Sequence, residues 1–106
     1  MMNQEIINIT ETIKQAVPVE KIYLFGSFAY GTPNESSDYD FFMVIPDGGL
    51  KPLEAMQKAR KSLTKINRKT AVDILADYQG RFNDRKKYNT IERKIANEGV
   101  VLYERA

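Results

Sequence analysis

The chain has 106 residues, enough for one domain whose core can fold alone. A formal charge of +2 is too small to single out nucleic acid or an anionic membrane as a partner, and the apolar and charged shares (42% and 28%) are those of an ordinary globular domain. Cysteine and histidine are both absent, which excludes disulfides, the usual zinc sites and Ser-His or Cys-His catalysis, so any metal here is a hard cation held by oxygens: Mg²⁺, Mn²⁺ or Ca²⁺.

The opening MMNQEIINITETIK has no basic region ahead of an apolar block, so no signal peptide is expected. No apolar run approaches the ~20 residues of a membrane span. Lack of cysteine suits a reducing cytoplasm. Between Asn3 and Val17 the apolar residues Ile6, Ile9, Ile13 and Ala16 recur at helical spacing, and Pro18 closes the segment. Lys21 to Phe25 is a short β-rich run that stops at Gly26-Ser27, followed by a helical turn over Phe28, Ala29 and Tyr30. Gly31 to Ser37 is turn chemistry. Tyr39 to Ile45 reads as a second strand, ended by Pro46 and the Asp47-Gly48-Gly49 turn, and it can pair with the first.

Pro52 suits the first turn of a helix carrying Leu53, Met56, Ala59 or Arg60, Leu63 and Ile66. The other face of that helix is basic, with Lys58, Arg60, Lys61 and Lys65. Thr70 to Ala76 is a third strand holding Asp73. Phe82, Tyr88, Ile91 and Ile95 mark one last helix, stopped by Gly99, and Val100 to Tyr103 forms a final strand. No repeat, low-complexity tract or linker interrupts the chain. The expectation is a single α+β domain over residues 1–106, with a small sheet of about four strands and helices packed on it.

Three acids stand out. Asp38 and Asp40 open the most apolar stretch of the chain and are expected on one face of the second strand, roughly 6.5–7 Å apart along the backbone. Asp73 alternates with Val72 and Ile74 and faces away from them. An acid in an apolar run is either buried, and then needs a partner, or lies on the surface of an edge strand. If the second and third strands are neighbours, the three carboxylates meet. Without a cation they repel and raise one another's pKa. Two divalent ions ~3.5–4 Å apart remove that repulsion and support in-line phosphoryl displacement. The Gly26-Ser27 turn aims backbone N–H groups and a hydroxyl at one point, as a phosphate requires, although such a turn by itself is more often only a turn. A P-loop signature is absent.

A hydrophobic strand, Gly-Ser, ten further residues, D-x-D and a later strand Asp together resemble the nucleotidyltransferases of the DNA polymerase beta superfamily. The likeness is strongest to minimal nucleotidyltransferase (MNT) domains, the antitoxins of HEPN/MNT pairs. It runs from YLFGSFAYG through SDYDFFMVI and VDIL to EGVVLYE. The resemblance implies that Gly26 and Ser27 bind the triphosphate of ATP or another NTP, and that Asp38, Asp40 and Asp73 hold two Mg²⁺ (or Mn²⁺) ions as the catalytic acids. It further implies transfer of AMP to a hydroxyl, with a tyrosine of a HEPN-domain toxin as an acceptor. The alternatives are a binding module that neutralises its partner by contact, and a transferase acting on a small molecule. The family commonly reads GSxARG, whereas Tyr30 stands here in place of that Arg. The Lys/Arg stripe of the 52–66 helix either compensates or is a solvated face. A phosphatase of the haloacid dehalogenase type would carry its D-x-D after the apolar strand rather than before it.

Overall fold

The computed structural model describes residues 3–31, 33 and 37–106. The turn expected over 31–37 therefore lies largely outside the described residues. Helix α1 spans Gln4–Ala16, with the Asn3 side chain accepting from the Ile6 N–H at 2.8 Å as its N-cap. Its Ile6, Ile9 and Ile13 are buried, as the spacing predicts. Strand β1 (Lys21–Phe25) and strand β2 (Tyr39–Ile45) have the expected limits, and the short helix α2 between them (Ser27–Tyr30) starts one residue before the expected turn.

Helix α3 covers Pro52–Leu63, and Glu54 accepts the Lys51 N–H at 3.2 Å at its start. Ala55, Ala59 and Leu63 form its buried stripe, while Leu53, expected on the apolar face, is 62% exposed. The correction is geometric: in a helix, the 55-59-63 row faces the sheet, and residue 53 lies off it. Strand β3 is Val72–Tyr78, displaced toward the C-terminus from the expected 70–76. The expected last helix is two, α4 (Gln79–Arg85) and α5 (Ile91–Glu98), with Tyr88 exposed in the break between them. Thr90 caps α5 by accepting the Arg93 N–H, so a helix start sits where apolar spacing alone suggested continuity. Strand β4 (Val100–Glu104) closes the fold.

The four strands form one mixed sheet in the order β3-β2-β1-β4. β1 is antiparallel to β2 and β4, whereas β2 and β3 are parallel, which requires the crossover that α3 supplies. One sheet face carries Ile22, Leu24, Tyr39, Phe41, Met43, Ile45 and Ile74 against α1 and α3. The opposite face carries Tyr23, Phe42 and Val44 against Phe82 of α4 and Ile95 of α5. β2 is covered on both faces, hence its unbroken apolar run. The Lys/Arg stripe of α3 lies on solvent beyond the first face. Among the described residues no helix is long and apolar enough to cross a membrane.

Candidate nucleotidyl-transfer site

The strand directions gather the candidate residues at one end of the sheet. β1 finishes there at Phe25, while β2, β3 and β4 all begin there. Phe25 pairs with Asp40, and Asp40 stands beside Asp73 in the parallel register. Neighbouring strands are about 4.8 Å apart, and residues in register share a face. Asp40 and Asp73 therefore project together on the face of Phe42, away from α1 and α3. Asp38 precedes the first residue of β2 and is exposed. Asp73 is exposed too; of the two readings of an acid in this apolar run, the edge-strand surface position holds, because β3 is the outer strand.

Asp40 is the half-buried member of the three. Burial pushes its carboxyl above the ordinary value, and the neighbouring Asp73 and Asp38 push it further. No ion pair to any of the three occurs among the described residues. Nor do any three acids among those residues already stand in a metal-binding cluster. The carboxylates are thus near enough to repel but are not drawn onto a common point. The donor set is oxygen only and anionic, which fits a hard divalent cation and no softer metal.

Gly26 joins the acids to the turn. Its backbone sits at φ 75°, ψ −160°, a region open almost only to glycine, and a methyl group on its α-carbon would overlap Asp40 Oδ2. The carboxylate therefore rests against the Gly26 backbone. The N–H groups of Ala29 and Tyr30 turn inward to the Gly26 carbonyl. The half-buried Ser27 hydroxyl takes no hydrogen-bond partner among the described residues.

Residues that the D-x-D and Gly-Ser patterns do not reveal hold this end together. Tyr39, between the two aspartates, points to the other face and is buried. Its ring meets Phe28 edge-on at 4.6 Å, and its hydroxyl donates to Glu5 Oε1 at 2.9 Å. Glu5 Oε2 also accepts the Lys69 N–H at 2.7 Å. That bond is the main reason its carboxyl lies below the ordinary value, against the opposing effect of burial. Phe28 of the Gly-Ser turn, the D-x-D segment and the approach to β3 are thus tied to α1 through one tyrosine and one glutamate. A buried aromatic between two acids is the only sequence signal for this, and Glu5 carries none.

The family model described as "Polymerase beta, Nucleotidyltransferase" matches residues 7–106. No curated protein matches the chain. Among solved structures, a candidate nucleotidyltransferase from Sulfolobus solfataricus aligns with a TM-score of 0.63 at 20% identity, over 96% of this chain and 79% of that one. A toxin–antitoxin complex with AMP-PNP aligns at 0.60 and 22% identity, over 97% and 75% of the two chains. A mutant MntA-HpeT toxin–antitoxin complex aligns at 0.57 and 20% identity, over 92% and 72%. At these identities the likeness is one of fold.

Proposed function

Because this chain belongs to the polymerase beta nucleotidyltransferase family, we propose that it transfers AMP from ATP to a hydroxyl group and releases pyrophosphate. The observation that carries the proposal is the register that sets Asp40 beside Asp73 while Asp40 abuts Gly26 of the Gly-Ser turn. In this reading Asp38, Asp40 and Asp73 would hold the divalent ions, Mg²⁺ or Mn²⁺, both hard cations that suit carboxylate donors. Bound there, the ions neutralise the triphosphate charge. The Ser27 hydroxyl and the N–H groups at the start of α2 donate to phosphate oxygens. The acceptor oxygen bonds to the α-phosphorus, and the bond from that phosphorus to the pyrophosphate oxygen breaks. Asp73, the most open of the acids along β3, takes the proton the acceptor loses.

A tyrosine of a HEPN-domain toxin is the acceptor we favour, in the cytoplasm, with this chain as antitoxin. Support comes from two fold neighbours that are toxin–antitoxin complexes, one of them with AMP-PNP. Among the described residues the sheet end is open, with Asp38 and Asp73 exposed to an incoming partner surface. Contact-only neutralisation is the second reading, favoured by Tyr30 in a turn that has no basic residue of its own. The two are separated by mass spectrometry of a HEPN-domain partner after incubation with ATP and Mg²⁺. Transfer adds an AMP mass that disappears with Asp38→Asn, while partner binding survives. A partner inhibited equally by both proteins, and never gaining mass, refutes transfer.

A further inference from the structure

The Gly-Ser turn, residues 26–31, contains no charged side chain, yet it lies beside three carboxylates. A triphosphate brought here meets anionic surroundings, and Tyr30 occupies the position from which a cation would reach it. The basic stripe on α3 does not fill the gap. Its helix packs on the sheet face opposite Asp40 and Asp73.

A cation does reach the turn from α5. Lys94 Nζ stands 4.7 Å from the centroid of the Tyr30 ring. Tyr30 is half-buried, and its hydroxyl lies close enough to Glu98 and Asp40 to feel both charges. The ring thus connects Lys94 to the turn whose Gly26 rests against Asp40. The placement of α5 is not adventitious. Gly99 ends it with its N–H on the Ile95 carbonyl at 2.9 Å, and a Cβ at Gly99 would collide with the Ile95 carbonyl oxygen and crowd that of Leu24. Leu24 is two residues before Gly26. The glycine therefore lets the C-terminal end of α5 press against the end of β1, one helical turn from Lys94, while Ile95 is buried under the sheet. Lys94 itself is exposed and makes no ion pair among the described residues.

We propose that Lys94 is a nucleotide-binding residue that contacts the triphosphate of the incoming nucleotide, with the Tyr30 ring as its platform in place of a cation within the turn. This rests on the nucleotidyl-transfer reading and deepens it. An exposed ammonium over the half-buried Tyr30 ring is held only weakly, so it is free to move onto a phosphate oxygen, where a charge-assisted bond is stronger. The selectivity that follows is for the number of phosphates rather than for the base.

The test measures binding of ATP and of AMP to the full chain by calorimetry with Mg²⁺, for wild type, Lys94→Ala, Lys94→Arg and Lys61→Ala. Lys61 lies on the exposed side of α3, on the far face of the sheet. Lys94→Ala should weaken ATP about tenfold, the loss of one charge-assisted contact. AMP should change little, Lys94→Arg should stay near wild type, and Lys61→Ala should have no effect. Tyr30→Arg placed on Lys94→Ala should restore ATP affinity by returning a cation to the turn. The ATP affinity of Lys94→Ala should also depend less on salt. Wild-type binding of ATP with an unchanged Lys94→Ala overturns the role of Lys94 alone. Equal weakening by Lys61→Ala overturns it as well, since any surface charge would then serve. A wild-type chain that binds no ATP overturns this inference and the transfer reading together.

Discussion

Replacing Gly26 by alanine tests the contact on which the geometry of the site depends. Two separable effects act there. The backbone at φ 75°, ψ −160° strains any residue with a Cβ by about 1–3 kcal/mol. The added methyl also overlaps Asp40 Oδ2, and forcing that side chain off its rotamer adds about 0.5–1.5 kcal/mol. Gly26→Ala should therefore destabilise the fold by about 2–4 kcal/mol, a loss of more than ~8 °C in Tm for a domain of this size. In an Asp40→Ala background the second effect largely vanishes, because the remaining Asp40 Cβ lies 3.3 Å from the new methyl, a distance small shifts relieve. The cycle should show a coupling of about 0.5–1.5 kcal/mol, measured by urea unfolding at pH 7 without divalent metal. Equal costs of Gly26→Ala in both backgrounds would refute the contact between turn and carboxylate. A cost under ~0.5 kcal/mol would refute the backbone argument too.

Asp40→Asn should stabilise the metal-free protein at pH 7. The folded-state carboxyl of Asp40 is raised by burial and by Asp73 and Asp38, so the native state holds the proton more tightly. Its unfavourable contribution therefore grows as pH rises from the ordinary carboxylate range through the raised value. The gain from Asp40→Asn should shrink at pH 3 in thermal melts, and a gain independent of pH would contradict the assignment. Ser27→Ala removes one hydrogen bond to a charged group, worth about 1.5–3 kcal/mol. ATP affinity should then fall by roughly ten- to a hundredfold by calorimetry, and unchanged affinity would leave the turn a purely structural role. Arg85 donates to Glu92 Oε2 at 2.7 Å between α4 and α5, and Glu92 Oε1 is buried without a partner among the described residues. Burial, the largest single effect, opposes ionisation of Glu92, but the bond and charge of Arg85, together with the Glu92 backbone N–H and Thr90, outweigh it and hold the carboxyl below its ordinary value. That stability is present above the ordinary carboxylate range and is lost as pH falls through the lowered value. Arg85→Ala should hence be destabilised at pH 7, with the gap to wild type closing in acid; a gap constant to pH 3 would show the pair to be inert.

Much of this protein is legible from local rules. Apolar spacing with a polar cap marks α1, and short β-rich apolar runs between turn residues mark β1 and β2 to the residue, because these segments are bounded by Asn3, Pro18, Gly26 and Pro46. The candidate acids and the Gly-Ser turn are legible for the same reason: charge at the mouth of an apolar strand conflicts with propensity and so draws notice. Where no boundary residue intervenes, local reading fails. The stretch marked by Phe82, Tyr88, Ile91 and Ile95 reads as one helix, yet Thr90 starts a second, since Phe82 and Ile95 must both reach the same sheet face around a turn.

What residues share a site is decided only in three dimensions. Sequence contains no mark that β2 and β3 run parallel, and that direction alone puts Asp73 at the end of the sheet where Asp40 begins. Run the other way, β3 would carry Asp73 to the far end. Exposure is likewise tertiary, since Asp73 is open because β3 is an edge and Asp40 half-buried because β2 is central. Lys94 is one lysine among many in the chain, and nothing about its neighbours in sequence links it to Tyr30. The link comes from Gly99, which allows α5 to close against β1 and so brings a residue 64 positions later to the ring. Spacing along a chain encodes which face a side chain takes, but the assembly of faces is set by strand direction and close approach of backbones, which no short window contains.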